Sequence, residues 1–433
     1  MNIVLLSGGS GKRLWPLSND VRSKQFLKLF KNDDGEYESM VQRVCRQLDE
    51  ACSDANVVIA TSESQRASIA NQLGERANVC VEPERRDTFA AVMLACAYLK
   101  YQMCCGDDEV AVIAPVDPYT DSSFFKQFQA LEHVVCTTRC ELALIGTSPT
   151  YPSAKYGYII PKRTSEAAES LQVAQFKEKP DEETAARYIS EGGLWNCGVF
   201  ALTIGRALSY ARKYIDFSCF SDIVHSFSLL PKISFDFEVV ERVEDIRMVV
   251  YNGQWKDLGT WNTLAEAMGA QTFGNVIVGK GCEGTSVVNE LDIPVFVMGI
   301  KDAIVASSAD GVIVSDKRQS SYIKPYVDAL EAKPQYVEKA WGDYHILNSS
   351  VVGNTGALTR SLHVRKGCSI GQKCHSEREE TLVVAGGSAL LSMSGERLVL
   401  NTGDSVRISR GVAHELIALE DLELIEIQFR ECQ

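Results

Sequence analysis

Short apolar segments typical of strands alternate with helical patterns through the first 270 residues, and this alternation limits the fold more than any other feature. The helical patterns include Thr88–Tyr101 and Phe124–Cys136. The strand patterns are Ile3–Leu6, Val57–Ala60, Val110–Ala114, Leu142–Ile145 and Phe200–Leu202. Strands that alternate with helices predict an α/β sheet with helices on both faces. In such sheets ligands bind in the loops that follow the C-terminal ends of the strands.

The pattern changes after about residue 270, where short strands with tight turns replace the alternation. These strands are Val276–Val278, Pro294–Met298, Ala303–Ser307 and Gly311–Ser315. A helix is predicted over 322–331, and Pro334 marks a linker. From Tyr336 onward only short strand patterns with Gly and Ser turns occur, which predicts a small β-barrel or sandwich. We therefore divide the chain into residues 1–270, a β-rich extension with a linker helix over 271–335, and a β domain over 336–433.

Length and charge exclude several classes of protein. A chain of 433 residues is expected to form two or three domains. A formal charge of −13 disfavours a nucleic-acid surface, which needs basic patches. No apolar run is long enough to cross a membrane, and the short segment before Gly8 does not have the pattern of a secretion signal. We therefore expect a cytoplasmic protein that binds neither nucleic acid nor membrane, with its cysteines reduced.

A glycine-rich loop follows the first strand. Gly8, Gly9 and Gly11 are followed by Lys12 and Arg13. Exposed backbone N–H groups in such a loop suit phosphate oxygens. The Walker A and dinucleotide motifs are both excluded, because Leu6 and Leu14 stand where those motifs need glycine and Arg13 stands where Walker A needs Ser or Thr. The loop alone leaves two alternatives, a phosphate site and a tight turn with solvated charges.

The segments around this loop resemble one enzyme family in their order. GG.G.RLWPLS with KQFL resembles the sugar-phosphate nucleotidyltransferases, in particular the mannose-1-phosphate guanylyltransferases. VEPERRDTFAA, IAPVDPY, KYGYI, FKEKP, LWNCGVF, SFDFEVVE and WKDLGTW follow in the family's order over about 260 residues. The resemblance implies a Rossmann-like nucleotidyltransferase sheet. It also implies transfer of GMP from GTP to mannose 1-phosphate, which yields GDP-mannose and pyrophosphate.

The resemblance assigns residues to each part of this reaction. Asp117 and Asp257 are the expected ligands of Mg²⁺, a hard cation that prefers carboxylate oxygens. Arg13 and Lys24 are assigned to the triphosphate and the transition state. The nucleotide-binding set is Gly8, Gly9, Gly11, Lys12, Arg13, Glu82, Arg86, Asp87 and Thr88. The sugar-phosphate set is Gly157, Glu178, Lys179, Asn196 and Gly198. Asp236, in the SFDFEVVE motif, has a local alternative to a role in the site, because it could cap the helix that follows it.

Three positions near the nucleotide depart from the family pattern. Pro118 follows Asp117 where the family has histidine, Ser23 replaces a proline, and Lys12 stands where threonine is common. None of these changes removes a residue assigned to catalysis. They bear on the identity of the base more than on the reaction.

The last hundred residues contain AWGDYHIL, the spacing Glu379-x6-Gly386 and the pattern Gly403-x5-Ser409-x-Gly411-x2-His414. With these motifs, residues from about 336 resemble the isomerase-like cupin domain of the long, bifunctional guanylyltransferases. Active isomerases of this type hold zinc with histidines and a carboxylate. One alignment of GQKCHSEREETL replaces the two ligand histidines by Cys374 and Ser376. The other retains His375 as the second histidine and has Lys373 in place of the first. The candidate metal ligands are Cys374, His375, Glu379 and His414. A zinc site and a vestigial domain are the two alternatives, and isomerase activity is not expected.

Two other functions remain compatible with the sequence. The same chemistry could act on another sugar 1-phosphate or another nucleotide. The chain could instead be a non-catalytic regulatory protein that binds sugar nucleotides, although it retains Arg13, Lys24, Asp117, Lys179 and Asp257, which argues against that alternative. The expected partners are a nucleoside triphosphate and a sugar 1-phosphate, and a homodimer is left open.

Overall fold

The computed structural model describes residues 1–9, 11–74, 77–162, 169–268, 271–330 and 333–431. The chain forms two compact units. The first contains Met1–Ser10 and Ser23–Gly269, and the second contains Gly11–Arg22 and Ala270–Gln433. The three-part division drawn from the sequence stays a prediction.

The first unit alternates strands with helices. Its strands are β1 (Asn2–Leu6), β2 (Phe30–Lys31), β3 (Tyr37–Glu38), β4 (Asn56–Ser62), β5 (Asn78–Glu82), β6 (Val110–Pro115), β7 (Pro118–Thr120), β8 (Leu142–Thr147), β9 (Tyr158–Pro161), β10 (Leu171–Lys177), β11 (Leu194–Thr203), β12 (Ile246–Tyr251) and β13 (Trp255–Asp257). Its helices are α1 (Met40–Ala51), α2 (Glu63–Leu73), α3 (Asp87–Tyr101), α4 (Ser122–Thr138), α5 (Glu182–Ser190), α6 (Ile204–Ala211), α7 (Phe220–His225), α8 (Phe235–Glu238) and α9 (Trp261–Ala267).

Nine strands form one mixed sheet in the order β5-β4-β1-β6-β11-β8-β12-β10-β9. β5, β4, β1 and β6 are parallel, whereas β11 runs antiparallel to both β6 and β8. β11 also pairs with β9, which closes the last five strands into a barrel. The predicted α/β class is confirmed, and the antiparallel insertion of β11 is the feature that the strand patterns did not reveal.

Helices cover both faces of this sheet because successive strand residues point to opposite sides. Val4 and Ile113 belong to a buried cluster that includes Phe89 of α3. Ile3 and Leu5 are equally buried and alternate with Val4, so they face the other side. On that side α4 contacts β6, β8 and β12, and its buried residues include Phe124 and Phe128.

The parallel strands set the position of the candidate site. The C-terminal ends of β1, β4, β5 and β6 lie at one edge of the sheet because these strands run in the same direction. The glycine loop follows β1, Glu82 ends β5, and Asp117 follows β6. Three predicted site elements therefore share one edge.

The second unit is built mainly from strands. They are β14 (Thr272–Phe273), β15 (Val276–Val278), β16 (Ser286–Asn289), β17 (Val295–Val297), β18 (Ala303–Ser308), β19 (Gly311–Asp316), β20 (Tyr336–Lys339), β21 (Gly342–Val352), β22 (Thr355–Val364), β23 (Arg378–Gly386), β24 (Ser388–Met393), β25 (Glu396–Asn401), β26 (Ser405–Ile408), β27 (His414–Ala418) and β28 (Leu422–Glu431). β14-β16-β18-β19 form one sheet and β15-β17 a second. The last nine strands form a six-stranded and a three-stranded sheet, which confirms the predicted C-terminal β domain.

The predicted linker helix is shorter than the sequence pattern indicated. Residues Lys324–Asp328 form α10, preceded by a 3-10 turn at Gln319–Tyr322. Pro325 lies in the first turn of α10, where its missing N–H costs nothing. The predicted end at Glu331 lies outside the described residues. No helix in the described part of the chain is long and apolar enough to cross a membrane.

Candidate active site

Two aspartates that are distant in sequence come together around Lys24. Asp117 precedes β7, and β7 pairs antiparallel with β13 so that Asp257 lies opposite Pro118. The Lys24 Nζ atom lies 2.6 Å from Asp117 Oδ2 and 3.8 Å from Asp257 Oδ1. It also donates a hydrogen bond to the Leu258 carbonyl at 3.4 Å. The structure thus brings together three of the four residues that the sequence assigned to catalysis.

This cluster fits a divalent cation. Two carboxylates already share one positive charge, so their oxygens converge on a point that favours cations. No group of three or more His, Cys, Asp or Glu side chains arranged for a metal occurs among the described residues. Mg²⁺ needs no such group, because it commonly binds to one or two carboxylates together with waters and substrate phosphates. Asp117 and Asp257 would be the protein ligands.

A buried polar network holds the glycine loop against the segment that carries Lys24. Ser23 Oγ donates to the Gly9 carbonyl at 2.6 Å, and Gln65 Nε2 donates to Ser23 Oγ at 2.5 Å and to the Gly9 carbonyl at 3.1 Å. Gln25 Nε2 donates to the Ser7 carbonyl at 3.1 Å. These bonds satisfy buried groups and fix the loop. The sequence analysis noted Ser23 only as a departure from the family pattern, and it missed Gln25 and Gln65. Gln25 had a signal through its place in KQFL.

Glu82 lies against the glycine loop. A side chain at Gly8 would place its Cβ atom 3.1 Å from Glu82 Oε1. The Glu82 side chain is buried, and this burial raises its pKa to about 7, with a further contribution from Asp87 and an opposing one from Arg85. A buried carboxylate at this edge can accept two hydrogen bonds from a ligand.

Arg86 and Thr88 bond to the protein's own groups. Arg86 Nη1 donates to the Leu230 carbonyl at 2.8 Å, and Thr88 Oγ1 accepts from the Phe235 N–H at 2.8 Å. These bonds hold the segment before α8 in place. The neighbouring Asp87 adopts φ +67° and accepts from the Thr88 N–H at 2.7 Å. The nucleotide-binding role of these residues stays a prediction.

A second cluster contains the predicted sugar-phosphate residues. Lys179 Nζ lies 2.7 Å from Glu178 Oε1, directly after β10. Asn196 lies where β11 leaves regular register with β8, and its side chain bonds to the Gly198 N–H and to Asp236 Oδ1, both at 3.0 Å. Gly198 adopts φ +72°, which favours glycine.

Gly157 leaves no room for a side chain in this cluster. An added Cβ atom would lie 2.5 Å from Glu178 Oε2 and 3.0 Å from Phe176 Cζ. The Gly157 carbonyl accepts from the Asn196 N–H at 2.8 Å, so the glycine is fixed in place. Its backbone is therefore open to close approach by a ligand.

Asp236 belongs to the same cluster and does not cap α8. The N-cap of α8 is Ser234, whose hydroxyl accepts from the Phe237 N–H. The capping alternative for Asp236 is therefore wrong, because the serine two residues earlier satisfies the helix terminus. Burial and the nearby Glu178 carboxylate raise the pKa of Asp236 to about 7.

An aromatic group links the two clusters. Tyr156 precedes Gly157, and its ring centroid lies 4.8 Å from that of Trp195, the neighbour of Asn196. The same ring lies 5.7 Å from the ring of Trp255, which shares β13 with Asp257. The Lys24 cluster and the sugar-phosphate cluster therefore flank one aromatic wall.

The residues Gly11, Lys12 and Arg13 belong to the second unit. The Lys12 Nζ atom lies 3.1 Å from Asp20 Oδ2 and 3.3 Å from Asp328 Oδ1. Bonds to these carboxylates raise the pKa of Lys12. Arg13 is exposed. Their predicted nucleotide contacts stay predictions.

The cupin domain places Glu380, and not Glu379, beside the histidines. The Glu380 side chain is 2% exposed, and its oxygens lie 3.5 Å from His375 Nε2 and 3.4 Å from His414 Nε2. Glu379 instead pairs with Arg407. Adjacent strand residues face opposite sides, so a shift of one residue moved the predicted ligand to the wrong face. Cys374 is exposed, and its thiol donates to the Gly411 carbonyl at 3.4 Å.

Comparisons with known proteins identify two family matches along the chain. The family model described as nucleotidyl transferase matches residues 2–272, and a cupin domain model matches residues 361–427. The chain is 28% identical over 466 residues to a mannose-1-phosphate guanylyltransferase of Escherichia coli strain K12, covering 98% of this chain and 94% of the relative. It is also 28% identical to the alginate biosynthesis protein AlgA of Pseudomonas putida, covering 98% of this chain and 92% of AlgA.

One solved structure is similar over most of the chain. It is described as a mannose-1-phosphate geranyltransferase from Thermus thermophilus. The similarity has a TM-score of 0.63 and 25% sequence identity, and it covers 76% of this chain and 99% of the other.

Proposed function

This chain belongs to the nucleotidyl transferase family, and from that premise we propose that it transfers GMP from GTP to mannose 1-phosphate, giving GDP-mannose and pyrophosphate. The observation that carries the proposal is the cluster of Asp117, Lys24 and Asp257 beside the glycine loop. The names of the full-length relatives support guanine and mannose as the base and the sugar. The family itself implies a nucleotide and a sugar phosphate as substrates.

The chemistry needs positioning and charge neutralisation more than covalent help. An oxygen of the sugar phosphate attacks the α-phosphorus, a new P–O bond forms, and the bond to the leaving pyrophosphate breaks. The attacking phosphate oxygen is already ionised, so no protein base has to remove a proton. Lys179 holds the sugar phosphate, and Lys24 neutralises charge at the triphosphate.

We propose Asp117 and Asp257 as the ligands of Mg²⁺. When bound, Mg²⁺ neutralises the triphosphate and the charge that develops on the leaving pyrophosphate. The two carboxylates orient the triphosphate relative to Lys24. This division of roles explains why a cation and two anions are placed together at a site for an anionic ligand.

Glu82 supports guanine as the base. The N1–H and N2–H₂ groups of guanine are adjacent donors, and a carboxylate offers two acceptors for them. Adenine and cytosine do not present two adjacent N–H donors on one edge, and uracil presents one. The buried Glu82 beside Gly8 supplies these acceptors at the strand edge where the loop binds the phosphates.

We predict that the KM for GTP rises as the pH falls below about 7. Burial raises the pKa of Glu82 to about 7, so the free enzyme must lose a proton before the carboxylate can accept from guanine. The KM should increase by about tenfold per pH unit below the pKa and stay constant above it. Steady-state rates at saturating sugar phosphate measure this. Glu82→Gln should abolish the pH dependence, and an unchanged slope in that variant would remove Glu82 from base recognition.

We predict that Gly157→Ala raises the KM for mannose 1-phosphate by on the order of tenfold, because the added methyl group displaces Glu178. The KM for GTP should change little. Gly106→Ala is the matched control, since its Cβ would meet the Glu109 side chain at ordinary contact distances, 3.6 Å to Oε1 and 3.9 Å to Cγ. Equal sugar KM values in both variants would place the sugar elsewhere.

A substrate panel tests the proposed specificity. We expect kcat/KM for pyrophosphate release to be highest for GTP with mannose 1-phosphate among the four nucleoside triphosphates and a set of hexose and heptose 1-phosphates. A higher value for another pair would replace the substrates and keep the reaction. Nucleotide binding without turnover would instead support the regulatory alternative.

A homodimer through the β-rich extension is supported by its exposed apolar side chains. Ile277 and Phe296 lie opposite each other on β15 and β17 and are 53% and 61% exposed, and Met298 is 63% exposed. Adjacent exposed apolar residues of this kind are typical of interfaces. Light scattering should give the mass of a dimer for the protein and of a monomer for Phe296→Glu. Two monomeric samples would reject the interface.

A cytoplasmic location fits a substrate that is a nucleoside triphosphate.

A further inference from the structure

The interior of the cupin domain is polar at one end. Along β28 the inward residues change from Leu422 and Leu424 to Glu426 and Gln428, and all four are buried. Glu380 lies opposite Gln428 on the neighbouring strand and is 2% exposed. Burying carboxylates and amides is costly unless partners satisfy them. A domain without a ligand would gain stability from apolar residues at these positions.

Two ion pairs satisfy part of this polar end. Arg360 pairs with Glu426, and its guanidinium lies 4.7 Å from the centre of the Tyr344 ring. Arg378 Nε donates to Glu380 Oε1 at 2.8 Å. Each buried carboxylate therefore has its own guanidinium, and Glu380 Oε2 is a buried oxygen that accepts no hydrogen bond. Any further cation in this region therefore exceeds the number of buried carboxylates.

Lys373 and Gln428 remain as donors without acceptors. Lys373 exchanges two backbone hydrogen bonds with His414, so its side chain lies on the same face as that histidine, which contacts Glu380. Among the described residues none accepts a hydrogen bond from the Lys373 ammonium. The Nε2 atom of Gln428 has no hydrogen-bond partner, and the residue as a whole is only 6% exposed. An unpaired amide thus lies next to Glu380 on the neighbouring strand, and an unpaired cation lies next to the histidine that contacts Glu380.

These residues do not fit the zinc ion of the related isomerases. Arg378 Nη2 lies 2.7 Å from His375 Nε2, so a permanent cation occupies the position beside the histidine where a metal would bind. Arg378 also engages Glu380. A zinc ion would have to displace this guanidinium and tolerate the unpaired Lys373 ammonium. Both effects oppose a second cation.

We propose that the cupin interior binds a small oxyanion, a phosphate monoester or a carboxylate, without a metal. Lys373 and the Gln428 amide donate to it, and Arg378 holds His375 and Glu380 in place around it. An anion balances the one unpaired positive charge and satisfies both orphaned donors. A charge-assisted hydrogen bond in a buried site accounts for about tenfold or more in affinity. This proposal does not depend on the function of the first unit.

Calorimetric titration of the full-length protein tests this site. The probes are inorganic phosphate, glucose 6-phosphate and citrate, so that the phosphate monoester and the carboxylate are distinguished. We expect at least one of them to bind, with affinity reduced about tenfold or more in Lys373→Met and in Gln428→Leu. Lys366→Met, an exposed lysine of the same domain, should bind normally. Lys179→Met should also retain this binding, which separates the cupin site from the sugar-phosphate site.

Several outcomes would overturn the proposal. They are no binding of any probe, unchanged binding in Lys373→Met, or one equivalent of zinc in the purified protein that is lost in His414→Gln. Thermal melting shows whether each variant is folded, and Lys373→Gln replaces Lys373→Met if the latter is not. The rate of pyrophosphate release, measured in parallel, should not change in the Lys373 variants.

Discussion

Asp257→Asn lowers kcat for pyrophosphate release by on the order of a thousandfold, the largest loss that we expect from one substitution. The amide keeps the shape of the side chain and removes the negative charge. Asp117 alone then faces the cation, while Lys24 loses one of its two carboxylate partners. Weaker metal binding and a misplaced Lys24 both raise the barrier. Part of the loss should be recovered at high Mg²⁺ concentration, because occupancy is only one of these two effects.

The control for this variant is Asp108→Asn, which makes the same chemical change at an exposed site of the same unit. Its kcat should equal that of the unmodified protein. Turnover of Asp257→Asn within a few-fold of normal, at limiting Mg²⁺, would exclude this carboxylate as a metal ligand.

Lys24→Met lowers kcat/KM for GTP by on the order of a hundredfold. The methionine retains the aliphatic stem, but Asp117 and Asp257 then lie beside each other and beside the incoming triphosphate with less positive charge to offset them. The loss should appear in both kcat and KM, because the ammonium acts on the bound triphosphate and on the leaving pyrophosphate. Stopped-flow and steady-state rates separate the two parameters.

Lys28→Met is the matched control for Lys24→Met, since Lys28 is an exposed lysine only four residues further along the chain. Lys24→Arg should recover part of the activity, because it restores the charge without the compact geometry of the ammonium. A Lys24→Met variant with normal kcat/KM would show that the cation between the aspartates has no part in binding or transfer.

The parts of the fold that local patterns determine were predictable. Alternating strand and helix patterns identified β1 and β6, since a buried parallel strand requires a continuous apolar run. The antiparallel direction of β11 was not predictable, because it depends on pairing with β6 and β8 across many residues. The inclusion of Gly11–Arg22 in the second unit is equally non-local. Ser308 Oγ donates to the Pro16 carbonyl, and the sequence of the glycine loop does not predict that hydrogen bond.

In the candidate site, too, residues in local sequence motifs were predictable and residues placed by non-local contacts were not. Asp117, Lys24 and Asp257 were identifiable because short ordered motifs carry them, and β7 pairing with β13 brings them together. Gln65 had no signal, since a helical glutamine that bonds to a loop carbonyl resembles any surface glutamine in sequence. Glu379 was predicted in place of Glu380 because motif spacing locates a ligand along a strand only to about one residue. Successive side chains of a strand point to opposite sides of the sheet, so an error of one residue selects a side chain on the wrong side.

The most direct test of the central proposal is the reaction itself, followed by phosphorus NMR. The protein is incubated with Mg²⁺, GTP and mannose 1-phosphate, with the Asp257→Asn variant as the negative control. We predict equal amounts of GDP-mannose and pyrophosphate, formed at a rate that falls on the order of a thousandfold in the variant. Absence of both products with every nucleoside triphosphate and every sugar 1-phosphate would contradict the assignment as an active nucleotidyltransferase.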